Sequence, residues 1–190
     1  MSTARFDPAG PLRGALVPPP DKSISHRAAI LAGTGEGTAS VRSYLDAADT
    51  QASVRAIRSL GASVEQTPQG GLGAKRQHPW RNPANPPVRA VDLLIGGVGL
   101  RGATPAEINV GNAGTLLRIL PGWLAGQPTG EWTLDGDESI RTRPVDRIAR
   151  PLREMGAEIE CRAGRTSPIT VRGAHLHGID YRLPVASAQV

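Results

Sequence analysis

The chain has 190 residues, 22 Lys plus Arg against 17 Asp plus Glu, and a formal net charge of +5. Its basic residues are dispersed and only 3% of residues are aromatic, which leaves little for base stacking and disfavours a nucleic-acid partner. No apolar run reaches the roughly 20 residues of a membrane span, the N-terminus lacks a signal-peptide core, and the lone Cys161 excludes a disulfide framework or a paired-thiol metal motif. A cytoplasmic enzyme with small anionic substrates fits this balance.

In chain order, the apolar pattern predicts a helix over about 23–33, a strand over 38–44, a helix over 48–60 and a strand over 62–67. Asp49 is the expected cap of the second helix. Residues 66–90 are rich in Pro, Gly, Asn and Arg and read as a loop insertion. A strand follows over 91–96. Gly97-Val98-Gly99-Leu100-Arg101-Gly102 matches a dinucleotide fingerprint. Pro105 and the lack of an apolar period after it make that match a loop coincidence.

From residue 112 the order recurs: a helix to about 125, a strand over 131–135, a helix over 143–155, and strands over 158–162 and 168–172. Leu60-Gly61-Ala62 answers Met155-Gly156-Ala157, and Arg27 answers Arg118. Each of these glycines follows a helix's last turn, where a left-handed cap is wanted. Val145, Ile148, Ala149, Leu152 and Met155 mark the core face of their helix. Pro151 should bend that helix or open its ladder, and Pro144 suits its first position. A third unit starts near 178–185. Such units bury a face only against their neighbours.

The chemistry concentrates at helix mouths. Asp21-Lys22-Ser23-Ile24-Ser25-His26-Arg27-Ala28 offers two fixed cations, hydroxyls and free backbone N–H groups to one anion. Ser23 and Arg27 share one face. Arg27 is suited to bidentate clamping and Lys22 to a mobile point charge. The same pattern also describes a capped, solvated helix start. Gly111-Asn112-Ala113-Gly114-Thr115 leads a second apolar helix, with Arg118 four residues past Gly114. Close backbone approach to a ligand there needs glycine. A third mouth lies at Gly136-Asp137-Glu138-Ser139-Ile140-Arg141-Thr142-Arg143-Pro144, where Asp137 and Glu138 are candidates to orient Arg141 or Arg143 by ion pairing. His26 reads as packed or solvated rather than as a base. His175 and His177 lack further ligands for a metal.

These stretches, with Leu45-Asp46-Ala47-Ala48-Asp49-Thr50, Pro151-Leu152-Arg153-Glu154-Met155-Gly156-Ala157 and Pro184-Val185-Ala186-Ser187-Ala188-Gln189-Val190, resemble the 5-enolpyruvylshikimate-3-phosphate synthase family, the 3-phosphoshikimate 1-carboxyvinyltransferases. They run in the family's order over most of the chain. The resemblance covers only the family's N-terminal portion. It implies an inside-out α/β fold of repeated βαβαββ units, here truncated. Residues 1–20 would belong to a C-terminal globe, crossing over at Pro18-Pro19-Pro20 after a strand over 12–17. Residues 21–190 would form the N-terminal globe, with two units and the start of a third. Exposed apolar edges and marginal stability would follow.

The resemblance also implies transfer of an enolpyruvyl group from phosphoenolpyruvate to the 5-hydroxyl of shikimate 3-phosphate, a step towards chorismate and the aromatic amino acids. Lys22, Ser23 and Arg27 would bind shikimate 3-phosphate, with Lys22 also stabilising charge on phosphoenolpyruvate as the catalytic cation. Asn112, Gly114 and Arg143 would hold phosphoenolpyruvate. Ser187, Ala188 and Gln189 would meet shikimate 3-phosphate. The acid–base aspartate would lie in the C-terminal globe, so the chain alone would not turn over. No metal or redox cofactor, nucleic acid or membrane is implied, and family proteins are usually monomeric. The residues also admit two alternatives. One is the sister UDP-N-acetylglucosamine enolpyruvyl transferases, which carry a cysteine near the position of Arg141. The other is a non-catalytic anion-binding fragment.

Overall fold

The computed structural model describes residues 18–68 and 89–184, with positions 7, 10, 11 and 13. The expected strand over 12–17, most of the insertion and residues 185–190, with Ser187, Ala188 and Gln189, lie outside the described residues.

Helix α1 (Lys22–Thr34) starts where Asp21 accepts a hydrogen bond from the Ile24 amide at 2.7 Å. Ser25, His26, Ala29, Ile30 and Gly33 form its buried face. Lys22 is therefore the first helical residue rather than a residue before the first turn. Strand β1 (Thr38–Leu45) follows, then α2 (Ala48–Ser59), β2 (Ser63–Pro68) and β3 (Ala90–Gly96). The three strands form an antiparallel sheet in the order β1-β3-β2. Strand β2 extends through Pro68 and β3 begins at Ala90, so the insertion is shorter at both ends than its composition suggests.

The second unit contains β4 (Ala106–Asn109), α3 (Gly114–Ala125), β5 (Glu131–Asp135), α4 (Glu138–Thr142), α5 (Asp146–Glu154), β6 (Glu158–Arg162) and β7 (Thr166–Arg172). Its sheet runs β4-β5-β7-β6, with β4 and β5 parallel and the other pairs antiparallel. Removing β4 leaves the order of the first sheet, so the internal repeat is one of topology as well as sequence. Gly61 and Gly156 close the matching helices with φ of 103° and 98°, the left-handed cap expected of them.

Two expectations are corrected here. The helix expected over 143–155 is α5, which begins only at Asp146, and a short helix that was not expected, α4, precedes it. Asp137 caps α4 by accepting from the Ile140 amide at 2.9 Å. Pro144 disfavours helical geometry in the residue before it, and Arg143 is extended at φ −81°, ψ 129°. Pro144 thus precedes the cap of α5, Val145, rather than opening the helix. Asp49 does not cap α2. The cap is Ala47, whose amide donates to Thr50 Oγ1 at 3.2 Å.

Helix α1 packs on β1 and β3 of the first sheet, α3 packs on β5 and β7 of the second, and the two helices meet each other. Neighbouring residues of α1 face different cores: Ala29 packs with Ile57, Leu93 and Ile95 of the first unit. Ile30 belongs instead to the core that holds Leu116, Leu120 and Trp132 of the second, together with Ala52, Ala56 and Leu60 of α2. In α3, Leu116, Leu117, Leu120 and Leu124 are fully buried, each stabilising the fold by roughly 1.5–3 kcal/mol. Val145, Ile148 and Ala149 are buried as expected, while Leu152 and Met155 are half-buried. Pro151 sits inside α5 without ending it. Three backbone hydrogen bonds tie the exit of β3 to the C-terminal end of α1: Gly97 N to Gly37 O, Val98 N to Gly33 O and Gly99 N to Gly35 O, at 3.0, 3.0 and 2.9 Å. Exposed apolar surface is found on the outer face of α1, where Ile24 and Leu31 are 69% and 68% exposed. Residues 173–183 form no helix or strand.

Candidate anion-binding site

The structure holds the described site residues in two groups, at the mouths of α1 and α3, two helices that pack against each other. At the first mouth Lys22 Nζ pairs with Asp49 Oδ2 at 2.5 Å. Arg27 Nη1 donates to the Ser23 carbonyl at 3.2 Å. Ser23 and Arg27 are exposed, and the remaining guanidinium donors of Arg27 are not engaged among the described residues. Beneath them His26 is fully buried, with Nδ1 2.7 Å from Ser53 Oγ and Nε2 without a hydrogen-bond partner. Burial pushes its pKa below the ordinary value, Asp49 opposes that shift, and Lys22 and Arg27 add to it. This histidine is a packed, neutral element of the platform.

At the second mouth Arg143 Nη2 donates to Asn112 Oδ1 at 2.7 Å and to Ser139 Oγ at 3.2 Å. Arg118 Nη1 donates to the Gly114 carbonyl at 3.2 Å, and its Nη2 to the Pro144 carbonyl at 3.4 Å. Both guanidinium groups converge on the first residue of α3. A Cβ on Gly114 would stand 2.9 Å from Arg143 Nη1 and 3.1 Å from Arg118 Nη1, so the bare α-carbon makes room for them. Burial lowers the Arg118 pKa, and the charges of Arg147 and Arg143 lower it further. Like charges gathered beside a helix N-terminus, where backbone N–H groups are unpaired, favour an incoming anion.

Asn112, Gly114 and Arg143, grouped by the family resemblance, lie side by side, and their supports were not expected from the sequence. Asp137 does not pair with an arginine. Its Oδ2 accepts from Asn112 Nδ2 at 2.7 Å. Arg141 instead pairs with Asp135 at 2.6 Å. The Asp49–Lys22 pair and the Pro144 contact of Arg118 were also unforeseen. The repeat was the available signal for Arg118, since its residue four earlier matches that of Arg27. Cys161 lies half-buried in β6, its thiol pKa raised by burial, so it has the character of a structural thiol. Among the described residues no group of three or more His, Cys, Asp or Glu could hold a metal ion, and no helix is long and apolar enough to cross a membrane. A surface concavity of about 510 Å³ between α5 and the β6–β7 hairpin involves none of the anion-site residues.

The EPSP synthase (3-phosphoshikimate 1-carboxyvinyltransferase) family profile matches residues 6–78 and 92–190. The unmatched stretch includes the end of the insertion. The chain is 43% identical over 186 residues to the 3-phosphoshikimate 1-carboxyvinyltransferase of Alkalilimnicola ehrlichii, covering 96% of this chain and 37% of that protein. It is 41% identical over 192 residues to the protein of that name from Thermus thermophilus, covering 100% and 40%. Among solved structures, EPSP synthase from Acinetobacter baumannii superposes with a TM-score of 0.74 at 36% identity, over 90% of this chain and 34% of that one. The chain spans about 37–40% of the length of the curated relatives it matches. On these sequence and structural matches, the chain belongs to the EPSP synthase (3-phosphoshikimate 1-carboxyvinyltransferase) family.

Proposed function

We propose that this chain supplies one wall of an enolpyruvyl-transfer site. It would hold shikimate 3-phosphate at the α1 mouth through Lys22, Ser23 and Arg27, and phosphoenolpyruvate at the α3 mouth through Asn112, Gly114 and Arg143. The observation that carries this reading is the convergence of Arg143 and Arg118 on the side-chain-free start of α3. In the reaction, the 5-hydroxyl oxygen of shikimate 3-phosphate bonds to C2 of phosphoenolpyruvate while C3 gains a proton. The tetrahedral intermediate then loses phosphate and a C3 proton, restoring the double bond. Negative charge is present throughout, so preorganised cations are the main contribution this chain can make.

Lys22, freed from Asp49, is the group suited to follow charge between the two ligands. Arg27 and Arg143 act as fixed clamps. Ser187, Ala188 and Gln189 complete the shikimate 3-phosphate contacts in this reading. Residues 21–190 then form one globe, and residues 1–20 a segment crossing to another. The acid–base step is assigned to the part of the family protein that this chain does not span.

Two measurements test the proposal. Calorimetry on the chain should show binding of shikimate 3-phosphate and of phosphoenolpyruvate, each weakened by raised salt. Mixing the chain with a separately expressed C-terminal portion of a relative should restore phosphate release that depends on both substrates. Absence of binding by either ligand, with the chain folded by circular dichroism, sinks the reading.

A further inference from the structure

We propose that Asp137 is a positioning residue of the α3 site: it sets the orientation of the Asn112 amide and, through that amide, the aim of Arg143. The inference rests on the reading of that site given above. A carboxylate has no donor, so only the Nδ2 end of Asn112 can meet Asp137 productively, and it does so at 2.7 Å. The other end of the amide, Oδ1, is thereby turned to Arg143, whose Nη2 donates to it at 2.7 Å. A guanidinium has no acceptor. The reverse amide orientation would therefore lose both bonds at once.

Asp137 is itself held. Its Oδ1 accepts from the Ile140 amide at 2.9 Å, and its own amide donates to the Gly111 carbonyl at 3.1 Å. The hydrogen bond from Asn112, then that from the Ile140 amide, keeps its carboxyl below the usual range. Arg143 also meets Ser139 Oγ at 3.2 Å, on the short helix that Asp137 caps. One carboxylate thus joins the loop before α3 to the turn that carries Arg143.

The near-isosteric substitution Asp137→Asn separates positioning from capping, because Asn caps a helix as well as Asp does. A residue that only caps α4 would tolerate it. A residue that orients Asn112 would not. With its oxygen kept on Ile140, the new side chain turns an NH2 group to Asn112. The Asn112 amide must then flip and present its own NH2 to Arg143. Asp137→Ser keeps a capping oxygen but is too short to reach Asn112, which leaves that amide free.

The experiment titrates the full chain with inorganic phosphate and with phosphoenolpyruvate by calorimetry, with thermal melts on the same samples. Side-chain NMR of Asn112 Nδ2 and Arg143 Nε is followed without ligand. Asp137→Asn should bind at least about tenfold more weakly at unchanged melting temperature. Asp137→Ser should fall between it and the native chain, and the Asn112 and Arg143 signals should move in Asp137→Asn. Affinity within twofold of the native chain, or unmoved Asn112 and Arg143 signals, overturns the proposal. A lower melting temperature with native affinity also overturns it, since that is a cap alone. If the native chain binds neither anion while those signals still move in Asp137→Asn, the orientation is supported and the anion-site reading fails.

Discussion

Arg27 in α1 and Arg118 in α3 each turn Nη1 back to the carbonyl four residues earlier, that of Ser23 or Gly114, at 3.2 Å in both cases. From there the two mouths diverge. Arg27 is exposed and makes no further hydrogen bond among the described residues. Arg118 is half-buried, reaches the Pro144 carbonyl, and keeps its Nε away from solvent without a partner. Equivalent positions of a repeat have thus been put to different uses. A guanidinium with unspent donors can clamp a ligand. One that spends a donor on each of two backbone carbonyls fixes the turn on which its neighbour, Arg143, stands.

The sharpest way to break this contrast is a crossed pair of substitutions. Arg27→Ala should cost shikimate 3-phosphate about a hundredfold in affinity, as for a lost charged hydrogen bond, while changing stability by no more than about 0.5 kcal/mol. Arg118→Ala should do the opposite, destabilising the fold by roughly 2 kcal/mol with little direct loss of shikimate 3-phosphate. Calorimetry and urea melts on both variants decide it, and equal losses of affinity would end the distinction.

A smaller effect is expected of Gly114→Ala. The new methyl displaces the flexible tips of Arg143 and Arg118, so phosphoenolpyruvate should bind about tenfold more weakly with near-native melting. Unchanged affinity would show that the two tips do not meet the ligand.

Next comes the platform beneath the first mouth. Burial depresses the pKa of His26, and the nearby charges are Asp49, Lys22 and Arg27. Below about pH 6.5 the unfolded chain takes up a proton that the folded chain refuses. Stability is therefore full above that pH and falls as pH drops towards the folded-state pKa. His26→Asn keeps a polar atom for Ser53 and should flatten the change in melting temperature between about pH 7 and about pH 5. An identical pH profile in both proteins would assign that slope to other groups. The smallest effect is that of Asp49→Asn. Lys22 is 54% exposed, so breaking the pair should cost at most about 1 kcal/mol in a thermal melt.

Much of this was legible in the residues because it is local. The i, i+4 spacing of Ser23 and Arg27, the glycines that close α2 and α5, and the four leucines of α3 each require only neighbours in the chain. Strand β4 was missed although the βαβαββ unit implied by the family resemblance begins with a strand. Its four residues carry too short a pattern to stand out. Helix α4 was missed because its five residues carry too short a pattern, and α5 starts later than expected because Pro144 acts on the backbone of the residue before it. Asp137 was assigned to an arginine because charge suggests charge. Its actual partner, Asn112, lies 25 residues earlier, and a neutral amide leaves no electrostatic trace in a sequence.

The three backbone hydrogen bonds that tie the β3 exit to the end of α1 have a mechanical consequence. A 13-residue helix is about 20 Å long, so its anchored end sets the position of its far end. A tilt of a few degrees at Gly33–Gly37 sweeps Lys22 and Ser23 sideways by an ångström or more, enough to spoil a clamp. Drift in ligand affinity from changes around Gly97, at the opposite pole from the ligand, is the lever's signature.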